Sequence, residues 1–237
     1  MIYFSDFGTG GGGGPVEFVG SKAYSGTATT SFSITTTGLS GGSDTQARAG
    51  DLVVLVSSMA KNVNAATLAS LSSDPGFVSR ANIAGEDTYG IRQQVWTYAT
   101  PSDAPTVTLT TNETGSRGVA ILVFVFRKAA FGSVQTAQSQ STAHVDPPSI
   151  TPTVAGSWIF VSGCSGSSSG AINYSTIPDL TDTRQQAYNG SGYDVSSAAG
   201  LKKDWTSGAF DPSAWTWGAT NNTNWSMASV SMVIVPG

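Results

Sequence analysis

Three glycines near the start of the chain, Gly8, Gly10 and Gly13, satisfy G-x-G-x-x-G, the spacing that cradles a dinucleotide pyrophosphate. That chemistry needs a strand before the loop and a helix after it, so that the helix N-terminus faces the phosphates. Here seven residues precede Gly8, and Gly14 leads into Pro15-Val16-Glu17-Phe18-Val19, which reads as a strand. An unbroken run, Gly10 to Gly14, meets almost any glycine spacing by accident, so the stretch reads as a linker. Gly166-Ser167-Ser168-Ser169-Gly170 likewise matches G-x-S-x-G. A nucleophile elbow needs a strand-turn-helix setting and a histidine downstream of the serine. The single histidine, His144, lies upstream and the segment is Ser/Gly low complexity, so it reads as a loop.

His144 stands beside Asp146 and a proline pair. One histidine builds no multi-His metal site, and no spacing supplies it with a nucleophile to activate. It reads as a surface or strand-edge residue. Glycoside hydrolysis needs only two carboxylates, and the candidates are Glu86, Asp87, Glu113, Asp179, Asp182, Asp194, Asp204 and Asp211. Most adjoin Gly, Pro, Ser or Thr, where aspartate makes turns, and no spacing singles out a pair. No D-x-[DN]-x-[DN]-G calcium loop is present. The expectation is a chain with no catalytic residues, no metal site and no cofactor.

Aromatic residues carry more signal. Trp205, Trp215, Trp217 and Trp225 fall within DWTSGAFDPSAWTWGATNNTNWS, and Trp215 and Trp217 share one face if they lie on a strand. The first reading is that they fill a core. The second is a platform for stacking sugar rings, with Asn221, Asn222 and Asn224 supplying hydrogen bonds. At the other end of the chain, Ile2, Tyr3, Phe4 and Phe7 sit on a glycine tether. Large apolar side chains on a leash need cover. They fold back as an edge strand, or they dock on another subunit or protein by adding a strand to its sheet. The intermolecular anchor is the favoured reading, since glycines permit any exit direction.

The elements that must position these residues are strands. TTSFSITTT, DLVVLVSS, IRQQVWTYAT, PTVTLTT, GVAILVFVF, SWIFVSG and ASVSMVIV are rich in β-branched and aromatic residues and bounded by turn formers. Only NVNAATLASL reads as a short helix or connecting turn. An echo runs through the chain. Ala49-Gly50-Asp51-Leu52-Val53-Val54 parallels Ala155-Gly156-Ser157-Trp158-Ile159-Phe160, and Thr111-Asn112-Glu113-Thr114 parallels Thr220-Asn221-Asn222-Thr223, each before an apolar closing strand. This predicts an all-β, jelly-roll-like antiparallel β-sandwich of two pseudo-repeated halves, about 16–128 and 131–236, within a 15–237 body behind a 1–14 arm. One sandwich whose halves contribute equivalent strands is preferred, and two tandem sandwiches are the alternative. The consecutive apolar positions of the closing strands fit burial on both faces.

Composition bounds the partners. Charged residues are 11% of the 237, the net charge is −4, and no Lys/Arg cluster exists, which argues against nucleic acid and anionic membranes. The lone Cys164 excludes an intramolecular disulfide. MIYFSDF has no basic n-region, and Val119 to Phe126, the longest apolar run, is too short to cross a bilayer, so synthesis in a cytoplasm without a signal peptide is expected.

The segments PVEFVGSKAYSGTATTSFSITTTGL, ARAGDLVVLVSS, DPGFVSR, VWTYATPSDAPTVTLTT, GVAILVFVFR and PPSITPTVAGSWIFVSG occur in that order. In this the chain resembles a diffuse group of phage-encoded β-sandwich proteins of the virion surface. It departs from their pattern at Phe77, where tryptophan is commoner, and at Arg127-Lys128-Ala129. The resemblance implies a virion surface component: a head decoration or spike, a tail appendage, or a glycan-binding module. Other capsid or tail proteins and further copies of itself are the partners expected of such a component, with Ile2, Tyr3, Phe4 and Phe7, read above from the arm itself, as the anchor. A host surface glycan is the other partner considered, with Trp205, Trp215, Trp217 and Trp225 as its contacts. The resemblance hands over no catalytic residue.

Overall fold

The computed structural model describes residues 14–27, 31–61, 72–73, 76–85, 90–110, 118–140, 144–167, 173–188, 194–217 and 226–237. These are all-β, with antiparallel pairing throughout. The NVNAATLASL segment lies outside them. The first eight strands are β1 (Glu17–Thr27), β2 (Ser31–Thr35), β3 (Leu52–Lys61), β4 (Ser72–Ser73), β5 (Val78–Gly85), β6 (Gly90–Ala99), β7 (Thr106–Thr110) and β8 (Gly118–Arg127). The second eight are β9 (Ala129–Gln140), β10 (His144–Val145), β11 (Ser157–Ser167), β12 (Tyr174–Thr176), β13 (Thr181–Tyr188), β14 (Asp194–Trp205), β15 (Trp215–Trp217) and β16 (Ser226–Pro236).

Each set of eight builds its own pair of sheets. The first forms a large sheet β1-β8-β3-β6-β5 and a small one β2-β7-β4, and the second forms β9-β16-β11-β14-β13 and β10-β15-β12. Adding eight to every strand number of the first pair gives the second. Among the described residues no sheet mixes strands of the two halves, so the sandwich is formed by one large sheet from each half, and the small sheets add two outer layers. The large sheets pack face to face, β1 over β13 and β5 over β9, and each small sheet covers the outer face of its own large sheet.

The physical reason lies in the closing strands. In β8, Ala120, Leu122, Phe124 and Phe126 point into the core between the two large sheets, while Val119, Ile121, Val123 and Val125 point into the core under the first small sheet. Alternate side chains on a strand face opposite ways, so a strand apolar at every position needs a layer on both sides. In β16 the even positions Ala228, Val230, Met232 and Ile234 meet the other half, whereas Met227 and Val233 face the second small sheet. The central core is graded along its length. At one end Phe18, Phe124, Phe126, Trp158 and Phe160 pack ring on ring, with Phe124 edge-on to Phe160 at 5.1 Å. At the other, Ser58 meets Ser197 across the sheets at 3.0 Å. A Cβ on Gly166 would lie 3.2 Å from the Ala60 side chain there.

Candidate partner-binding site

The two Ala-Gly turns found in the sequence are the same turn. Gly50 and Gly156 both take φ in the left-handed region, +87° and +75°, where a Cβ is strained. The Asp51 N–H donates to the Arg48 carbonyl at 3.0 Å and the Ser157 N–H to the Val154 carbonyl at 3.3 Å. What hangs on the turns differs. Asp51 is buried, and its carboxylate accepts two parallel bonds from the Arg127 guanidinium, both 3.0 Å, plus the Arg48 N–H at 2.8 Å. Such a fork is geometrically specific and charge-assisted. In the second half the Ser157 hydroxyl donates to the Val154 carbonyl at 2.6 Å, and the Trp158 indole donates to Asp204 at 3.0 Å.

Arg127 is the hub of a charged corner in a chain with few charges. Asp44 and Asp103 flank Arg48 at 3.3 Å each, Arg127 reaches Asp44 at 3.5 Å, and Glu17 lies 3.9 Å from both Arg127 and Lys128. The Thr45 N–H, then Arg48 and Arg127, hold the Asp44 carboxyl below the usual aspartate value. The Ala49 N–H and then Arg48 do the same for Asp103. Bonds to Asp51 raise Arg127 further above its already high value. The first described residue, Gly14, rests against this corner, because a Cβ there would lie 3.1 Å from the Lys128 side chain. The corner is therefore the root of the N-terminal arm. The anchor residues Ile2, Tyr3, Phe4 and Phe7 lie outside the described residues.

The tryptophan-rich end divides. Trp215 is fully buried, edge-on to Tyr174 at 5.2 Å, and it fills the space over Gly163, where a Cβ would meet Val145 at 2.5 Å and the indole at 2.9 Å. It presents no ring face for a sugar and leaves the set of glycan contacts, because β15 turns it inward under the second small sheet. Trp205 is half-buried at the end of β14; its indole N–H donates to the Gly208 carbonyl at 3.0 Å. Its ring lies 5.2 Å from Phe210, with the Lys202 ammonium 5.7 Å from its centroid. Trp217 places its backbone opposite Tyr174, while its side chain, like Trp225, lies outside the description.

The other chemical candidates are taken up structurally. His144 is exposed on β10, with Nδ1 3.2 Å from the Trp215 carbonyl. Asp182 pairs with Lys203 at 2.7 Å, and Asp179 accepts the Ser213 N–H at 3.1 Å. Ser213, through its hydroxyl and then its N–H, holds Asp179 below the usual value. Each described carboxylate whose pKa departs from the ordinary value departs downward, opposite to the shift of a general acid. Among the described residues no group of three His, Cys, Asp or Glu side chains is placed to hold a metal. Glu86, Asp87 and Glu113 lie outside those residues, as do the Gly8–Gly13 run and Ser168–Gly170. No helix of the described residues is long and apolar enough to cross a membrane.

Sequence reasoning missed the Asp51–Arg127 corner. Its signal was available: two opposite charges, each at the edge of a strong apolar strand, in a chain only 11% charged. Comparison with protein-family models, with curated proteins and with solved structures finds no match.

Proposed function

We propose that this chain is a non-enzymatic structural protein of a phage virion, displayed on the capsid or tail surface as a decoration, spike or fibre-like component and anchored by its N-terminal arm. One observation carries the reading: the apolar residues Ile2, Tyr3, Phe4 and Phe7 stand on a glycine tether ahead of a body whose described residues, from Val16 onward, already hold extensive hydrophobic clusters. Gly14, the first described residue, sits beside a corner braced by the pairing of Glu17 with Arg127 and Lys128. Burying a large apolar side chain contributes on the order of 2–3 kcal/mol, so Ile2, Tyr3, Phe4 and Phe7 together offset the ordering cost of a short strand. The strand order of the first half, β1-β8-β3-β6-β5 in one sheet and β2-β7-β4 in the other, supports the jelly-roll form of the resemblance, with β5 on the large sheet rather than beside β4.

The test is deletion of residues 2–14, followed by particle assembly and by circular dichroism of the free protein. Loss of incorporation with the β spectrum and melting temperature kept is the expected result. Incorporation of the truncated chain at full occupancy refutes the reading. A second reading, a carbohydrate-binding module of a tail fibre or adhesin, now rests on the half-buried Trp205 beside Phe210. Binding on a glycan array that is lost in Trp205→Ala supports it, and no binding to any glycan removes it.

A further inference from the structure

Four long strands end the two large sheets, and three of them are protected. Along β1, the loop residues Ser40, Ser43 and Asp44 bond to the backbone of Ser21, Phe18 and Val19. Strand β5 carries Arg80, strand β13 carries Asp182 and Arg184, and both have register shifts. Charges, bulges and covering loops are how edge strands avoid pairing with other chains. Strand β9 is different. Its twelve residues, AAFGSVQTAQSQ, hold no charge and no proline, and among the described residues only β16 pairs with it. Its one bulge, where Gly132 and Ser133 face Val233, leaves Ala130, Gly132, Ser133, Gln135 and Thr136 exposed.

We infer that the open edge of β9 is the acceptor for the N-terminal arm of a second copy, which adds Ile2–Phe7 as a strand beside Ala129–Val134. This rests on the reading of the arm as an intermolecular anchor and names what it grips. Three features argue for it. First, the lengths match, because six extended residues span about 20 Å on either strand. Second, apolar meets apolar: the near half of β9 holds exposed Ala130 and, half-buried along the margin of the central core, Ala129, Phe131 and Val134. The Arg80 guanidinium lies 3.8 Å over the Phe131 ring, whereas Gln135–Gln140 is polar but for Ala137. A chain running straight from Gly14 along its own β9 would lay its glycines beside the apolar half and Phe7 beside the polar one. Third, donor root and acceptor share a corner, since Gly14 rests on Lys128 and β9 begins at Ala129. Two copies meeting there about a two-fold axis exchange arms reciprocally, a closed and self-limiting arrangement. The linker Gly8–Gly14 spans about 13–16 Å as a coil and up to about 25 Å when stretched, enough to cross between copies.

The test uses the full-length chain with single cysteines and a short bifunctional maleimide. The native Cys164 is fully buried, which keeps it out of the reaction. Mixing a Ser5→Cys protein with a Ser133→Cys protein should give a cross-linked band at twice 24.3 kDa, well above either variant alone. Placing both cysteines in one chain should give the same dimer band. A cross-link confined to single chains shows the arm on its own β9 and overturns the proposal, as does no cross-link in either sample. A second arm adds Ser133→Lys and Gln135→Lys together, exposed positions where charge leaves the fold intact. Molar mass by light scattering should fall from dimer to monomer, and an unchanged dimer overturns the proposal. The virion reading fails separately, by incorporation of the arm-deleted chain, whatever the cross-links show.

Discussion

Replacing Phe124 by alanine tests whether the two halves are one cooperative unit. Phe124 is fully buried between the large sheets, 5.9 Å from the Phe18 ring and 5.1 Å from Phe160 of the other half. Truncating a buried phenylalanine costs about 3–5 kcal/mol, through lost transfer energy and the cavity left behind. For a chain of this size each kcal/mol moves the melting temperature by about 2–4 °C, so a fall of about 6–20 °C is expected. Scanning calorimetry of the wild type should show one transition, and the variant should show one lower transition rather than two. Phe160→Ala and the double variant complete a cycle, with a coupling of about 0.5–1.5 kcal/mol for the edge-on pair. A fall under about 3 °C would refute the central core as a major source of stability. Splitting into one lowered and one unmoved transition would show that the halves melt independently.

Asp51→Asn should destabilise by about 2–3 kcal/mol, less than the about 3–5 kcal/mol of a fully buried pair because Arg127 keeps some solvent. Urea titration checks this, and a change under about 0.5 kcal/mol would make the Arg127 fork an ornament of the corner. Gly163→Ala forces a methyl to within 2.5 Å of Val145 and 2.9 Å of the Trp215 ring. The overpacking should cost about 1–3 kcal/mol and alter tryptophan fluorescence, whereas a silent substitution would contradict the burial of Trp215. Acid should weaken the fold. Asp44, Asp103 and Asp179 all titrate below the ordinary value of 3.8 when folded, so their contribution is present above that pH and lost as pH falls through the folded values. Melting temperatures measured from pH 6 to pH 2.5 should be level and then drop, and a rise on acidification would refute the assignment.

The strands legible in the sequence were those made of β-branched and aromatic residues. Strands β3, β6, β8, β11 and β16 each stand where LVVLVSS, IRQQVWTYA, VAILVFVF, SWIFVSG and ASVSMVIV announced them. Strands β9 and β14 were not read, because AAFGSVQTAQSQ and DVSSAAGLKKDW lack that signature. Strand β14 is nevertheless buried from Asp194 to Leu201, since the large sheets approach closely where Ser58 meets Ser197 and only small side chains fit. Propensity scales reward bulk, and this interface selects against it. The turn at Asp51 was legible and its ion-pair partner was not, because Arg127 is seventy-six positions away and only the pairing of β3 with β8 brings them together. Trp215 and Trp217 lie on one strand, the condition under which their spacing puts them on one face, but spacing cannot say which face the small sheet covers.

The two halves share strand order and turn geometry, so whatever distinguishes them is a place to look for function. At the turn, the first half has a buried aspartate bonded to an arginine, and the second has a serine bonded to its own loop. At the leading edge, the first half folds residues 40–44 over β1, and β9 has no described strand or loop bonded along it in that way. A buried ion pair contributes little net stability against an apolar replacement, because desolvation offsets the attraction, but it fixes geometry. An open strand edge contributes nothing to a monomer and exposes it to pairing. Neither feature is explained by the stability of an isolated chain. Both become useful together if the braced corner aims an arm and the unprotected edge beside it receives one.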